Sequence, residues 1–217
     1  MGTFAEQRYS KLGPKLVKAL KARFFDAWYF DEPAEAVDTV VSLIPREHVV
    51  SWGGSMTLVD LGVQDRLARE GFTLLDRDKA TSQEERAEIM RKSMICDTYL
   101  AGTNAISEDG QLVNIDGFGN RVAAMIYGPR QVIIVAGMNK VAKTLFDAVA
   151  RARNVAAPTN VQRLVAGSPM ASPSCSETGT CVDCVSGNSI CNYFVTIRSC
   201  RPAGRIKVVL VGKDLGL

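Results

Sequence analysis

Four thiols crowd together late in the 217-residue chain: Cys175, Cys181, Cys184 and Cys191, in the spacing C-x5-C-x2-C-x6-C, with Cys200 following and Cys96 far upstream. Two intervening residues let the sulfurs of Cys181 and Cys184 converge on one ion. Four thiolates suit tetrahedral zinc or an iron–sulfur cluster, so these four are the candidate metal ligands and Zn2+ or an iron–sulfur cluster the candidate cofactor. The run departs from the ferredoxin spacing, and Asn192 stands where that motif carries proline. Disulfides and free thiols stay open as alternatives, with Cys200 as a spare. Cys96, beside an apolar run, reads as a small buried hydrophobe. The single histidine, His48, precedes Val49 and Val50 at the start of a strand, an edge position that leaves metal binding to the thiols and lends a histidine-based mechanism little support.

Three loops rich in glycine and polar side chains could hold a ligand. In Ser51-Trp52-Gly53-Gly54-Ser55-Met56-Thr57 a strand runs into two glycines and then a helix, so the backbone can approach a ligand closely and helix N–H groups face an anion. Simple capping by Ser55 or Thr57 is the alternative. The P-loop and dinucleotide fingerprints are both absent. The second region joins Gly102, Thr103, Asn104 and Glu108 to Asn114, Asp116, Gly117, Asn120 and Arg121. Asp116 and Glu108 are its candidate acid or base and Arg121 its anion clamp, while turn chemistry accounts equally for Asp109-Gly110 and Asp116-Gly117. The third, Gly137-Met138-Asn139-Lys140, offers Asn139 and Lys140 to an anion, or Asn139 as a helix cap. Thr159, Asn160 and Arg163 could close the same pocket.

These loops need strands to hold them. Strands are predicted at 27–30, 49–52, 73–75, 98–101, 111–115, 131–136 and 206–211. Helices are predicted in the lysine- and leucine-patterned N-terminus, from Pro33 to Ile44, at 58–68, after the capping box Thr81-Ser82-Gln83-Glu84, at 120–126 and at 141–151. Strands that are continuous apolar runs and alternate with helices argue an α/β fold, a mostly parallel Rossmann-like sheet flanked by helices, with a Cys-rich C-terminal excursion. The chain reads as a single α/β domain over residues 1–217. Residues 167–203 form its Cys-rich segment, and 204–217 return a strand to the core.

Composition fits that picture, with 47% hydrophobic and 23% charged residues and a formal net charge of +3. So small a charge, spread along the chain, gives no reason to expect nucleic acid as a partner, and the N-terminal lysines read as a solvated helix face. No apolar run approaches the roughly 18 residues of a membrane span. The N-terminus lacks the apolar block of a signal peptide, so the expected location is cytoplasmic, where thiols serve metals more often than disulfides.

The ordered series SWGGSMTLVDLG, AGTNAISEDGQLVNIDGFGNRVAAMIYGPRQVIIVAGMNKVAKTLFDA, APTNVQRL and GRIKVVLVGKDLGL resembles the lactate-utilisation (LUD) domain family, in a form that also carries TGTCVDCVSGNSIC. The resemblance runs from about Tyr9 to Gly216. It implies a fold similar to the sugar-phosphate isomerase and CoA-transferase superfamily, and a part in oxidising L-lactate to pyruvate. In that superfamily the glycine-serine loop meets phosphate or another anion, which points to Gly53, Gly54, Ser55 and Thr57. The acidic motif of the isomerases is not matched by Thr103-Asn104-Ala105-Ile106-Ser107-Glu108. The expectation is therefore a component of L-lactate (2-hydroxy acid) utilisation with a small anionic ligand, a thiolate metal site and redox partner subunits, a homodimer being left open. The alternative is a stand-alone isomerase or transferase acting on a phosphorylated or acyl-CoA substrate.

Overall fold

The computed structural model describes residues 2–166 and 173–217. Residues 167–172, at the start of the predicted Cys-rich segment, lie outside the described residues. The chain opens with α1 (Phe4–Ala22), β1 (Asp26–Phe30), α2 (Pro33–Ser42), β2 (Val49–Trp52), α3 (Met56–Asp60), α4 (Val63–Arg69) and β3 (Thr73–Leu75). It continues with α5 (Gln83–Lys92), β4 (Thr98–Ala101), β5 (Ala105–Ser107), β6 (Leu112–Asp116), α6 (Asn120–Ile126), β7 (Gln131–Gly137) and β8 (Val141–Ala142). The last elements are α7 (Leu145–Arg151), α8 (Ala157–Val165), α9 (Cys175–Thr178), β9 (Tyr193–Ile197) and β10 (Ile206–Val211).

Six strands form one sheet in the order β1-β10-β7-β4-β2-β3, every neighbouring pair parallel. Its central strands are apolar on both faces because both faces are covered. Val132, Ile134 and Ala136 pack with Tyr9, Leu16 and Leu20 of α1 and Met125 of α6. The alternate residues Ile133 and Val135 pack with Val40 of α2, Leu58 of α3 and Leu67 of α4. The expected parallel α/β sheet with flanking helices is thus observed.

A second sheet, β8-β5-β6-β9, carries the Cys-rich excursion back to the body of the protein. It packs Ala105, Val113 and Ile115 against Ala148 of α7. Most of it escapes the sequence reading. Val141–Ala142, predicted as helix, pairs with Ile106 and Ser107 of β5, and the helix begins only at Leu145. There Thr144 caps it, accepting from Asp147 N at 3.1 Å while Asp147 accepts from Thr144 N at 3.0 Å. The helix predicted at 58–68 is two helices, broken at Gly62, whose φ of 62° is left-handed. The N-cap of α5 is Ser82, one residue later than the capping box predicts, its Oγ accepting from Glu85 N at 3.1 Å while Glu85 Oε2 accepts from Thr81 N at 2.6 Å. Between α7 and α8 the chain makes a π-helical turn, Ala152–Ala156, just before Pro158, which has no N–H to give the helix.

Candidate anion-binding cleft

The carboxyl ends of β2, β3, β4 and β7 open on a cleft of about 580 Å3. That is the end of a parallel sheet at which ligands are expected. Cationic side chains reach it from five places: Arg77 beyond β3, Arg86 on α5, Arg121 beyond β6, Lys140 beyond β7 and Arg163 on α8. Among the described residues Asp116 is the one carboxylate side chain in its lining.

Gly54 is the meeting point of two guanidinium groups. A methyl group built on it would come 3.0 Å from Arg77 Nη2 and 3.9 Å from Arg163 Nη2. The two nitrogens therefore lie within about 7 Å of each other, a repulsion of roughly 2 kcal/mol at an effective dielectric of about 20. Arg77 is poorly neutralised. Its side chain is 16% exposed, its Nε has no hydrogen-bond partner among the described residues, and its ion pair with Asp78 is stretched to 4.0 Å. Nη1 donates to the sulfur of Met90 at 3.8 Å. Arg163 is steadied by Asn160 Oδ1 at 3.0 Å, and burial, then the charge of Arg77, pushes its pKa down.

Lys140 is the buried cation. It is 4% exposed and donates to Thr57 Oγ1 at 2.9 Å. Burial first, then the charges of Arg151 and Arg121, bring its pKa down from the ordinary lysine value to about 8. Arg121 is differently employed. Its Nη1 donates to Asn114 Oδ1 at 2.7 Å and Gly102 O at 3.3 Å, and its Nη2 to Ile115 O at 2.7 Å and Asn104 Oδ1 at 3.2 Å. Its Nε faces Asp116 Oδ2 at 3.4 Å. So saturated a guanidinium ties the loops after β4 and β6 together instead of offering a fork to a ligand. Gly53 makes room for it, because a Cβ there would stand 2.9 Å from Arg121 Cδ. Asp116 is likewise engaged, accepting from Gly119 N at 3.1 Å and Val122 N at 3.3 Å.

Of the residues singled out in the sequence, Gly54, Ser55, Thr103, Asn104, Asp116, Asn120, Arg121, Lys140 and Arg163 line the cleft. Thr57 lies just beneath it under Lys140, and Asn139 binds the tail, its Oδ1 accepting from Leu215 N at 3.2 Å. Glu108 is elsewhere. The β5–β6 hairpin places it at the turn, at the other end of β6 from Asp116, where it pairs with Lys143 Nζ at 2.7 Å and faces a groove along α1 with Arg8 and Lys15. His48 contacts Thr98 Oγ1 at 2.8 Å, at the amino ends of the strands. Arg77 and Arg86 were not singled out. Asp76-Arg77-Asp78-Lys79 has the look of a solvated turn, and its position just past the carboxyl end of Thr73–Leu75 is the only clue in the sequence.

The four clustered cysteines, Cys175, Cys181, Cys184 and Cys191, line one cavity of about 40 Å3. Asp183, at φ 54°, turns the Cys181-x-x-Cys184 segment through the left-handed region. Gln162 Nε2 holds Cys175 O at 3.1 Å, and Cys191 packs against the second sheet. All six cysteines are free thiols; burial pushes Cys96 up to about 12 and, with help from its three neighbours, Cys191 to about 11. Among the described residues no three His, Cys, Asp or Glu side chains are close enough together to hold an ion as they stand. The donor set nonetheless suits zinc or an iron–sulfur cluster, since four thiols line one space and the carboxylate beside them, Asp183, is paired with Arg153. Cys200 is buried elsewhere, accepting from Ile206 N at 3.2 Å.

The model of the LUD domain family matches residues 13–211. The chain belongs to the LUD domain family. Among solved structures it is similar to a DUF162 family protein from Deinococcus radiodurans, at 11% identity and a TM-score of 0.52, with 93% of this chain and 96% of that chain covered. That likeness shows the fold. Slighter likenesses extend to ribose 5-phosphate isomerase A from Neisseria gonorrhoeae, at 16% identity and a TM-score of 0.35 over 52% of this chain and 54% of that one. No curated protein sequence matches the chain. No helix among the described residues of this LUD-domain protein is long and apolar enough to cross a membrane.

Proposed function

We propose that this LUD-domain protein serves L-lactate (2-hydroxy acid) utilisation by holding a small carboxylate between Arg77, Arg163 and Lys140. The observation that carries this reading is the Arg77 guanidinium, largely buried, without a partner for Nε and within about 7 Å of a second guanidinium. A carboxylate placed there relieves the repulsion and accepts charge-assisted hydrogen bonds from both groups. The amides of Asn104 and Asn120, also in the lining, are suited to a 2-hydroxyl or 2-oxo group. Membership of the LUD family supports the substrate class. The four thiols form the second part of the reading, a site for zinc or an iron–sulfur cluster. With it the protein works beside redox partner subunits in the cytoplasm.

The size of the cleft favours a second reading. A volume of about 580 Å3 suits a drug-sized ligand more than a three-carbon acid. A phosphorylated or acyl-CoA substrate, with isomerase or transferase chemistry at Asp116, uses that room. Calorimetric titration with L-lactate, pyruvate, a sugar phosphate and acetyl-CoA separates the two. We expect L-lactate or pyruvate to bind, Gly54→Ala to weaken binding by about tenfold, roughly 1.4 kcal/mol, and deletion of the gene to abolish growth on L-lactate. Binding of the sugar phosphate or acetyl-CoA alone supports the second reading. No binding at all, with growth unchanged, contradicts both.

A further inference from the structure

The cysteine cavity and the anion cleft share a wall: Pro173, Ser189 and Ile190 line both. Asn192 stitches that wall to the cleft floor, its N donating to Asp116 O at 3.0 Å and its Nδ2 to Gly117 O at 3.0 Å and Ser189 O at 3.1 Å. Ser189 Oγ in turn accepts from Cys191 N at 3.1 Å. Ile190 lies so close over Gly117 that a Cβ on the glycine would come 3.3 Å from Ile190 Cα. Apolar burial does little to hold this segment, for Val182 and Val185 both face solvent. A stretch so polar and so little buried holds one conformation best when cross-linked.

We propose that Cys175, Cys181, Cys184 and Cys191 bind one tetrahedral divalent ion of the zinc class, and that this ion fixes the Gly187–Asn192 wall of the anion cleft. The metal site stands on the cysteines alone; its consequence for the cleft rests on the carboxylate reading above. All four cysteines line that one cavity. Their C-x5-C-x2-C-x6-C spacing departs from the ferredoxin run that holds iron–sulfur clusters and keeps the local C-x2-C pair of zinc sites, which favours a single ion. Two ligands are already anchored, Cys175 through Gln162 and Cys191 against the second sheet. On metal binding the Cys181–Cys184 turn, whose Val182 and Asp183 are exposed, would shift to bring all four sulfurs to zinc bonds of about 2.3 Å. Each thiol gives up its proton as the bond to the ion forms, and no electron changes hands. Arg153, which pairs with Asp183 and lies in the same lining, offsets part of the negative charge of four thiolates.

Reduced, chelator-treated full-length protein, titrated with Co2+ and then Zn2+, tests the site. We expect one Co2+ per chain, with the thiolate charge-transfer absorption and intense visible bands of a tetrahedral centre, and its displacement by Zn2+. Cys184→Ser should weaken cobalt binding by roughly 100-fold or more, beyond what loss of an outer-shell partner costs, and Cys184→His, which keeps four ligands, should restore binding with shifted bands. Amide hydrogen exchange should slow on zinc loading both at residues 185–192 and at residues 116–119. Weak, octahedral-type cobalt binding, or iron and sulfide in place of zinc in anaerobically purified protein, overturns the single-ion site. Slowing confined to the cysteine segment overturns its link to the cleft. None of these readouts involves a carboxylate, so they are decided separately from the ligand of the cleft.

Discussion

Lys140 is the side chain through which pH acts on this protein most directly. An unfolded lysine keeps its proton to about pH 10.4, whereas Lys140 releases its own near 8, because burial and the neighbouring arginines oppose its charge. Between those values the unfolded chain binds more protons, so stability rises with pH across the window; below about 8 both states are charged and the full cost of burying the charge is present. Lys140→Met removes this dependence. Between pH 7 and 10.5 the wild type should gain roughly 3 kcal/mol relative to the variant, read as the difference between two urea-unfolding series. Parallel curves would mean that the lysine is solvated. Lys140 and Gly54 were legible in the sequence because each sits in a turn that follows an apolar strand, whereas Arg163, expected with Thr159 and Asn160 in a loop after Pro158, reaches the cleft from within helix α8. Arg77 was not, since alternating acidic and basic residues at 76–79 look like any exposed turn. Glu108 misled for a related reason: closeness in sequence to Asp116 hides the hairpin that carries the two to opposite ends of β6.

Among the elements, the six parallel strands could be read from the chain because burial on both faces leaves long apolar runs such as Gln131–Gly137, every residue of which is buried. The second sheet could not. Its strands β5 and β8 have three and two residues, and β9 is half exposed, so none carries a period long enough to recognise. The position of α1 depends on a close contact that spacing does not reveal. A Cβ on Gly13 would stand 2.2 Å from the ring of Tyr29 in β1, and Tyr29 is held by Asp31 Oδ1 at 2.7 Å. Gly13→Ala improves helix propensity yet forces the helix and the strand apart. We expect a net loss of about 1–3 kcal/mol in chemical denaturation, and a gain in stability would show that the ring moves aside freely.

At the scale of the whole molecule, the cleft is assembled from pieces far apart in the chain: the turn after β2, Arg77 after β3, the loops after β4 and β6, Lys140 after β7, Arg163 on α8 and the cysteine segment before β9. No sequence spacing encodes that convergence; the parallel sheet creates it by sending successive carboxyl ends to one side. The central claim is that a carboxylate sits where the two guanidinium groups meet over Gly54. A crystal structure of the protein with pyruvate or L-lactate bound tests it most directly. The account predicts carboxylate oxygens within hydrogen-bonding distance, about 2.7–2.9 Å, of both Arg77 and Arg163, with Lys140 beside the ligand. A ligand bound away from both arginines, or a cleft that takes up no carboxylate at saturating concentration, would contradict it.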